Sequence, residues 1–150
     1  MHDIGKVGIP DAVLNKPEKL DEEEYEIIKS HVIIGRNILE TTYGNKVSND
    51  ILNYAKDIVY HHHEKYDGTG YPEGLKGEEI SVAARLMALV DVYDALANDR
   101  VYKKAMPYEE VEEYIRSQAG KAFDPKAVNV FNLIKEDLRK INEENKDKKN

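Results

Sequence analysis

The chain holds five histidines, and three of them are consecutive: His61, His62 and His63, with His2 and His31 the others. Glu64 follows directly, and then a turn-rich segment, Asp67-Gly68-Thr69-Gly70-Tyr71-Pro72. Imidazole nitrogens and carboxylate oxygens together make a donor set for divalent transition metals. Cysteine is absent, so any metal must rest on nitrogen and oxygen. Successive side chains on a helix point about 100° apart, so two of the three imidazoles can face a shared site while the third points elsewhere. The plain alternative is a cationic helix end lying against the helix dipole, but three histidines in a row exceed that role. His2-Asp3 offers a neutral nitrogen and an anionic oxygen to one cation or to two neighbours. Taken alone, it reads equally well as a capping aspartate at a chain terminus.

Asp91 and Asp94 interrupt the apolar run Ala83, Ala84, Leu86, Met87, Ala88, Leu89, Val90, Val92, Ala95 and Leu96. A carboxylate inside a buried helix must be paired, hydrogen-bonded or metal-bound. Metal binding is expected of Asp91 and a supporting hydrogen bond of Asp94. Asn98 to Lys104 is a local basic loop that directly follows the helix carrying Asp91, a place that suits an anion clamp, though such a run is usually a solvated turn. The chain shows no Ser-His or Cys-His arrangement for covalent catalysis.

The elements that must carry these groups read as helices. Asp21 with Glu24 three residues on forms a capping-box pattern, and Tyr25, Ile28, Val32, Ile33, Ile38 and Leu39 follow at helical spacing, with His31 among them. Ser48-Asn49-Asp50 caps a second helix whose apolar set (Ile51, Leu52, Ala55, Ile58, Val59) ends at the triple histidine. A glycine-rich loop covers residues 65–79, and the apolar helix carrying Asp91 starts at Ile80. Its broad apolar face is expected in the core. Pro107 opens a short amphipathic helix that ends near Gly120. Phe123-Asp124-Pro125 opens the last one, with Val128, Phe131, Ile134, Leu138 and Ile141 on its face. Residues 7–20 read as loop and short turns, and 143–150 as a solvated charged tail. No strand is expected.

Composition sets the outer bounds. A chain of 150 residues is one domain by length, with 41% hydrophobic and 34% charged residues. A net charge of −7 argues against general DNA or RNA binding. No apolar run reaches membrane-span length, no signal-peptide core opens the chain, and a cytoplasmic location is expected.

In their order, these motifs resemble the HD-GYP family, a branch of the HD superfamily of metal-dependent phosphohydrolases. His2-Asp3-Ile4-Gly5-Lys6 resembles its HD signature, and His62-His63-Glu64 with Asp67-Gly68-Thr69-Gly70-Tyr71-Pro72 its extended second signature. Asp91, Asp99-Arg100, Tyr102-Lys103-Lys104 and Phe123-Asp124-Pro125 match its downstream blocks, so the likeness runs from residue 1 to about 135. It implies an all-α, HD-domain-like bundle of about five helices over residues 1–142, lacking the family's first helices. It further implies a two- or three-metal centre of iron or manganese on His2, Asp3, His31, His62, His63 and Asp91. His2, Asp3 and Lys6 would serve catalysis, while Lys6, Gly70, Tyr71, Pro72, Arg100 and Lys103 would hold substrate. The implied reaction is hydrolysis of cyclic di-GMP to pGpG or GMP by hydroxide generated at the metals, the cyclic dinucleotide being the partner. The alternative is a catalytically incomplete fragment that binds a nucleotide or a partner in signalling. Since the chain opens one residue before His2, upstream ligands and packing helices are expected to be missing. Self-association or helix exchange through the exposed surface would follow.

Overall fold

The computed structural model describes residues 1–43, 50–99 and 104–147. These residues build an all-α structure, as expected. A 3₁₀ turn (Ile4–Gly8) is followed by α1 (Asp11–Leu14), α2 (Glu22–Lys29), α3 (His31–Tyr43), α4 (Asp50–His61), a second 3₁₀ turn (Gly77–Glu79), α5 (Val82–Ala97), α6 (Tyr108–Ser117) and α7 (Pro125–Asp147). Among the described residues the extended pairing is a single isolated bridge, Ala119 with Phe123.

Helix starts follow the capping chemistry. The Asp21 carboxylate accepts from the Glu24 amide at 2.9 Å, and the Glu24 carboxylate accepts from the Asp21 amide at 2.9 Å, closing the capping box. Ser81 caps α5 by accepting from the Ala84 amide, so this helix starts at Val82 rather than Ile80. Ser48 and Asn49 lie outside the described residues; α4 is described from Asp50.

Three features depart from the sequence reading. The helix expected to run through residues 21–39 is two helices joined at Ser30. There the Ser30 hydroxyl donates to the Ile27 carbonyl at 2.6 Å, and the His31 Nδ1 lies 2.6 Å from the Ile28 carbonyl. Side chains that take helical carbonyls bend or interrupt a helix, and this joint sends His31 inward. Next, α5 is only half core: Ala84, Ala88 and Leu89 are buried, while Val82, Leu86 and Val90 form an exposed i, i+4, i+8 stripe. Lastly, α7 continues through Ile141 to Asp147, past the point where the charged tail was expected to leave the helix.

Two buried regions result. Leu89, Tyr93 and Ala97 of α5, Val111 and Ile115 of α6, Phe123, and Ala127, Val128 and Phe131 of α7 form one apolar core. The second lies between the opening 3₁₀ turn, α3 and α4, where Val32, Leu39 and Val59 are buried beside His31 and His62. Gly5 sets the approach of the turn to α3, because a Cβ there would land on the His31 carbonyl oxygen and lie 2.5 Å from the Gly35 nitrogen.

Candidate metal centre

The donors converge from four elements. Asp3 stands at the mouth of the 3₁₀ turn, His31 opens α3, His62 and His63 follow the last turn of α4, and Asp91 projects from α5. One donor atom from each of Asp3, His31, His62 and His63 lies within 4.8 Å of all the others. His31 and His62 bring their Nε2 atoms to 3.5 Å of each other and to 3.4 and 3.8 Å of Asp3 Oδ1. The other carboxylate oxygen, Asp3 Oδ2, is 3.4 Å from His2 Nε2, which is itself 3.3 Å from Asp91 Oδ1. One carboxylate thus divides its two oxygens between the His31–His62 pair and His2, which adjoins Asp91.

Ring orientation follows from the backbone. His31 Nδ1 faces the Ile28 carbonyl, and His62 Nδ1 faces the carbonyls of Ile58 and Val59, each at 3.1 Å. A carbonyl only accepts, so Nδ1 carries the proton and the Nε2 lone pair points into the cluster. This is the outer-shell arrangement by which proteins orient imidazole ligands. Burial pushes the His31 pKa down, and burial followed by the charges of His62 and His31 takes that of His63 to about 3. Both rings are therefore neutral near pH 7, the form that ligates. Burial by itself would raise the Asp3 carboxyl, but its interactions with His62, with the hydrogen-bonded Lys6 ammonium and with His2 hold it well below the usual range. The buried His2 Nε2 finds no hydrogen-bond partner, as expected of a nitrogen placed for an ion. The donor set therefore fits a metal.

The loop beside the centre is built around Glu64. Its buried carboxylate accepts from the amides of Glu73 (2.7 Å), Gly74 (3.1 Å) and Leu75 (3.1 Å), acting as an internal anion for a curled backbone. Gly70 lets the strand of loop pass close, since a Cβ would meet Lys65 N and lie 2.5 Å from Glu64 Cα. Tyr71 then stacks on His63, with ring centroids 4.9 Å apart and planes at 26°.

An HD domain model matches residues 1–127. The chain belongs to the HD domain family. This HD domain is 49% identical over 139 residues to a probable cyclic di-GMP phosphodiesterase of Vibrio cholerae, covering 91% of this chain and 31% of the relative. It is 40% identical over 147 residues to a cyclic di-GMP phosphodiesterase of Thermotoga maritima, covering 98% of this chain and 39% of that protein. A 3'3'-cGAMP-specific phosphodiesterase of Vibrio cholerae is 42% identical over 131 residues, covering 87% of this chain and 24% of its own length. The HD domain thus spans well under half of these curated relatives.

Of the residues singled out from sequence, the structure brings His2, Asp3, His31, His62, His63 and Asp91 together. Lys6 sits at the rim and donates to Asp3 Oδ2 at 2.6 Å. Tyr71 stands at the edge of the centre on His63, Gly70 packs against Glu64 and Lys65, and Pro72 lines the cleft beside α2, while Arg100 and Lys103 lie outside the described residues. Asp94 is exposed, and its carboxylate accepts from Asn98 at 2.9 Å. His61 is the third imidazole of the run, and it turns outward. Its Nδ1 is 2.8 Å from Asp57 and its Nε2 3.1 Å from Glu73, so the two that face the site are His62 and His63. Sequence reasoning assigned no task to Glu64, Asp57 or Glu73. Only the i, i+4 spacing of Asp57 and His61 carried a readable signal.

Proposed function

We propose that this HD domain is the catalytic part of a metal-dependent phosphodiesterase that hydrolyses cyclic di-GMP to pGpG or GMP. The division of Asp3 between the His31–His62 pair and His2 carries the proposal, supported by relatives named for cyclic dinucleotide hydrolysis. Two or three divalent ions, iron or manganese, are proposed on His2, Asp3, His31, His62, His63 and Asp91. Bound there, such ions would neutralise phosphodiester charge and supply hydroxide near neutral pH. The protein's own part is to hold neutral Nε2 donors inward through the backbone carbonyls of α2 and α4, and to keep Asp3 ionised through Lys6. Lys6 sits where it can also meet a phosphate oxygen, with Arg100 and Lys103 proposed to share that charge. Tyr71 closes the side of the centre over His63. A cytoplasmic setting and self-association through the exposed Val82, Leu86 and Val90 stripe belong to the same proposal.

The test is turnover of cyclic di-GMP, measured with metal content, after loading with Fe²⁺ or Mn²⁺. Two or more ions per chain with linear product are expected, and Asp3→Asn should abolish turnover. Tight dinucleotide binding without turnover in fully loaded protein would replace this reading with that of a nucleotide-binding signalling module. Absence of both would overturn each of them.

A further inference from the structure

Beside the metal centre, on the α2 side of the loop, is a cleft of about 230 Å³ lined by Glu26, Lys29, Ser30, Ile33, Tyr71 and Pro72. Tyr71 forms the partition between the two spaces. One face of its surroundings is His63 at 4.9 Å, and on the other Lys29 Nζ lies 5.5 Å from the Tyr71 ring and 5.5 Å from the exposed ring of Tyr25. Burial raises the Tyr71 hydroxyl above its ordinary range, and the neighbouring Tyr25, Asp3 and Asp91 push the same way.

We propose that this cleft is a purine subsite, receiving one guanine of a cyclic dinucleotide whose phosphate lies at the metal centre. The proposal rests on the phosphodiesterase reading above and adds Glu26, Lys29 and Ile33, which the family likeness does not assign, to Tyr71 and Pro72, which it does. The chemistry suits guanine on each edge. Tyrosine and proline rings beside an apolar floor at Ile33 offer a base a stacking surface, worth about 1–3 kcal/mol for aromatic stacking. Guanine presents O6 and N7 as acceptors, which lysine meets as a donor. Its N1–H and N2 amino group are donors, which a carboxylate accepts; Lys29 and Glu26 supply that pair. They already hold each other at 2.5 Å across one helical turn, so the cation and the anion stand side by side, as on a guanine edge. Lysine carries three N–H donors and keeps Glu26 while giving another to the base. Adenine reverses the donor and acceptor order on that edge, so the cleft selects against it.

The test compares Lys29→Met and Glu26→Gln with the parent chain, loaded with Mn²⁺, on two phosphodiesters. Bis(p-nitrophenyl) phosphate has no base, whereas cyclic di-GMP carries two. The ratio of kcat/KM for cyclic di-GMP to that for bis(p-nitrophenyl) phosphate should fall about tenfold in each variant, the loss of one hydrogen bond to a charged group. The change should appear in KM, and Glu26→Gln should also narrow the preference for cyclic di-GMP over cyclic di-AMP. A ratio within twofold of the parent in both variants overturns the subsite while leaving the phosphodiesterase reading intact. Should the parent turn over neither compound, the phosphodiesterase reading fails, and calorimetric binding decides the subsite. The variants must then bind cyclic di-GMP about tenfold more weakly than the parent; equal binding, or none by the parent, overturns it.

Discussion

Around Phe131 the buried side chains are Leu89, Tyr93, Val111, Ile115, Phe123 and Val128, whereas in the metal centre and its adjoining loop the buried groups that set the geometry are His31, His62 and Glu64. The first group is held by removal of apolar surface from water, a force without direction. The second consists of polar groups whose burial is costly unless every lone pair and proton has a partner. Backbone carbonyls satisfy one side of each imidazole there, and the other side faces its fellow donors. One region therefore stabilises the fold, and the other stores binding capacity at the fold's expense.

The sharpest way to break that contrast is in the apolar half. Phe131→Ala should cost about 3–5 kcal/mol, read as a large drop in the urea midpoint, and metal should rescue little of it. In the polar half, stability should depend most on the bound ion. Mn²⁺ or Fe²⁺ at about a hundred times its Kd should stabilise the parent by about 2.7 kcal/mol, and His62→Ala should lose that gain in a thermal scan. Glu64→Gln comes next, at about 1–3 kcal/mol, since a carboxylate accepting three amides becomes an amide with one acceptor oxygen. Hydrogen exchange should quicken at residues 73–75 while the amides of α6 stay protected.

The smallest effect sharpens the comparison from the other side, because the apolar half contains buried acids of its own, Glu112 and Asp124. Burial would raise the Glu112 carboxyl, but hydrogen bonds from Lys135 and Arg139, and their charges, lower it overall. A carboxyl held low in the folded state contributes stability that is full above its unfolded pKa and fades as pH falls through the folded one. Glu112→Gln should cost about 1 kcal/mol at pH 7, where the partly exposed cations limit the gain, and nothing once the acid is protonated. Urea midpoints of the two proteins should converge on acidification.

Much of the apolar half was legible in the sequence, since Val111, Ile115, Val128 and Phe131 recur at helical spacing and their burial follows from that period. Asp21 with Glu24 was equally plain, being a local motif. The donor set of the centre was legible through residue type and through resemblance, but its geometry was not. Which imidazoles face inward depends on Asp57 and Glu73 holding His61 outward, and Glu73 lies in a loop whose path the sequence does not state. The break at Ser30 escaped a reading by period, because it arises from side chains competing for Ile27 and Ile28 carbonyls while the apolar spacing continues. The outward stripe of α5 escaped for a related reason: hydrophobicity tells how much surface a helix can bury, and its neighbours decide how much is covered.

The contact of Gly5 with α3 has a longer reach than its size suggests. It is main chain against main chain, with the His31 carbonyl and the Gly35 nitrogen as the opposing surface. The separation of Asp3 from His31 is therefore referenced to the polypeptide itself and is insulated from exchanges of side chains around it. Glu26 and Lys29, which line the neighbouring cleft, belong to a different helix, joined to α3 at Ser30. Mutational drift can rewrite what the molecule accepts while the spacing of its donors is inherited unchanged.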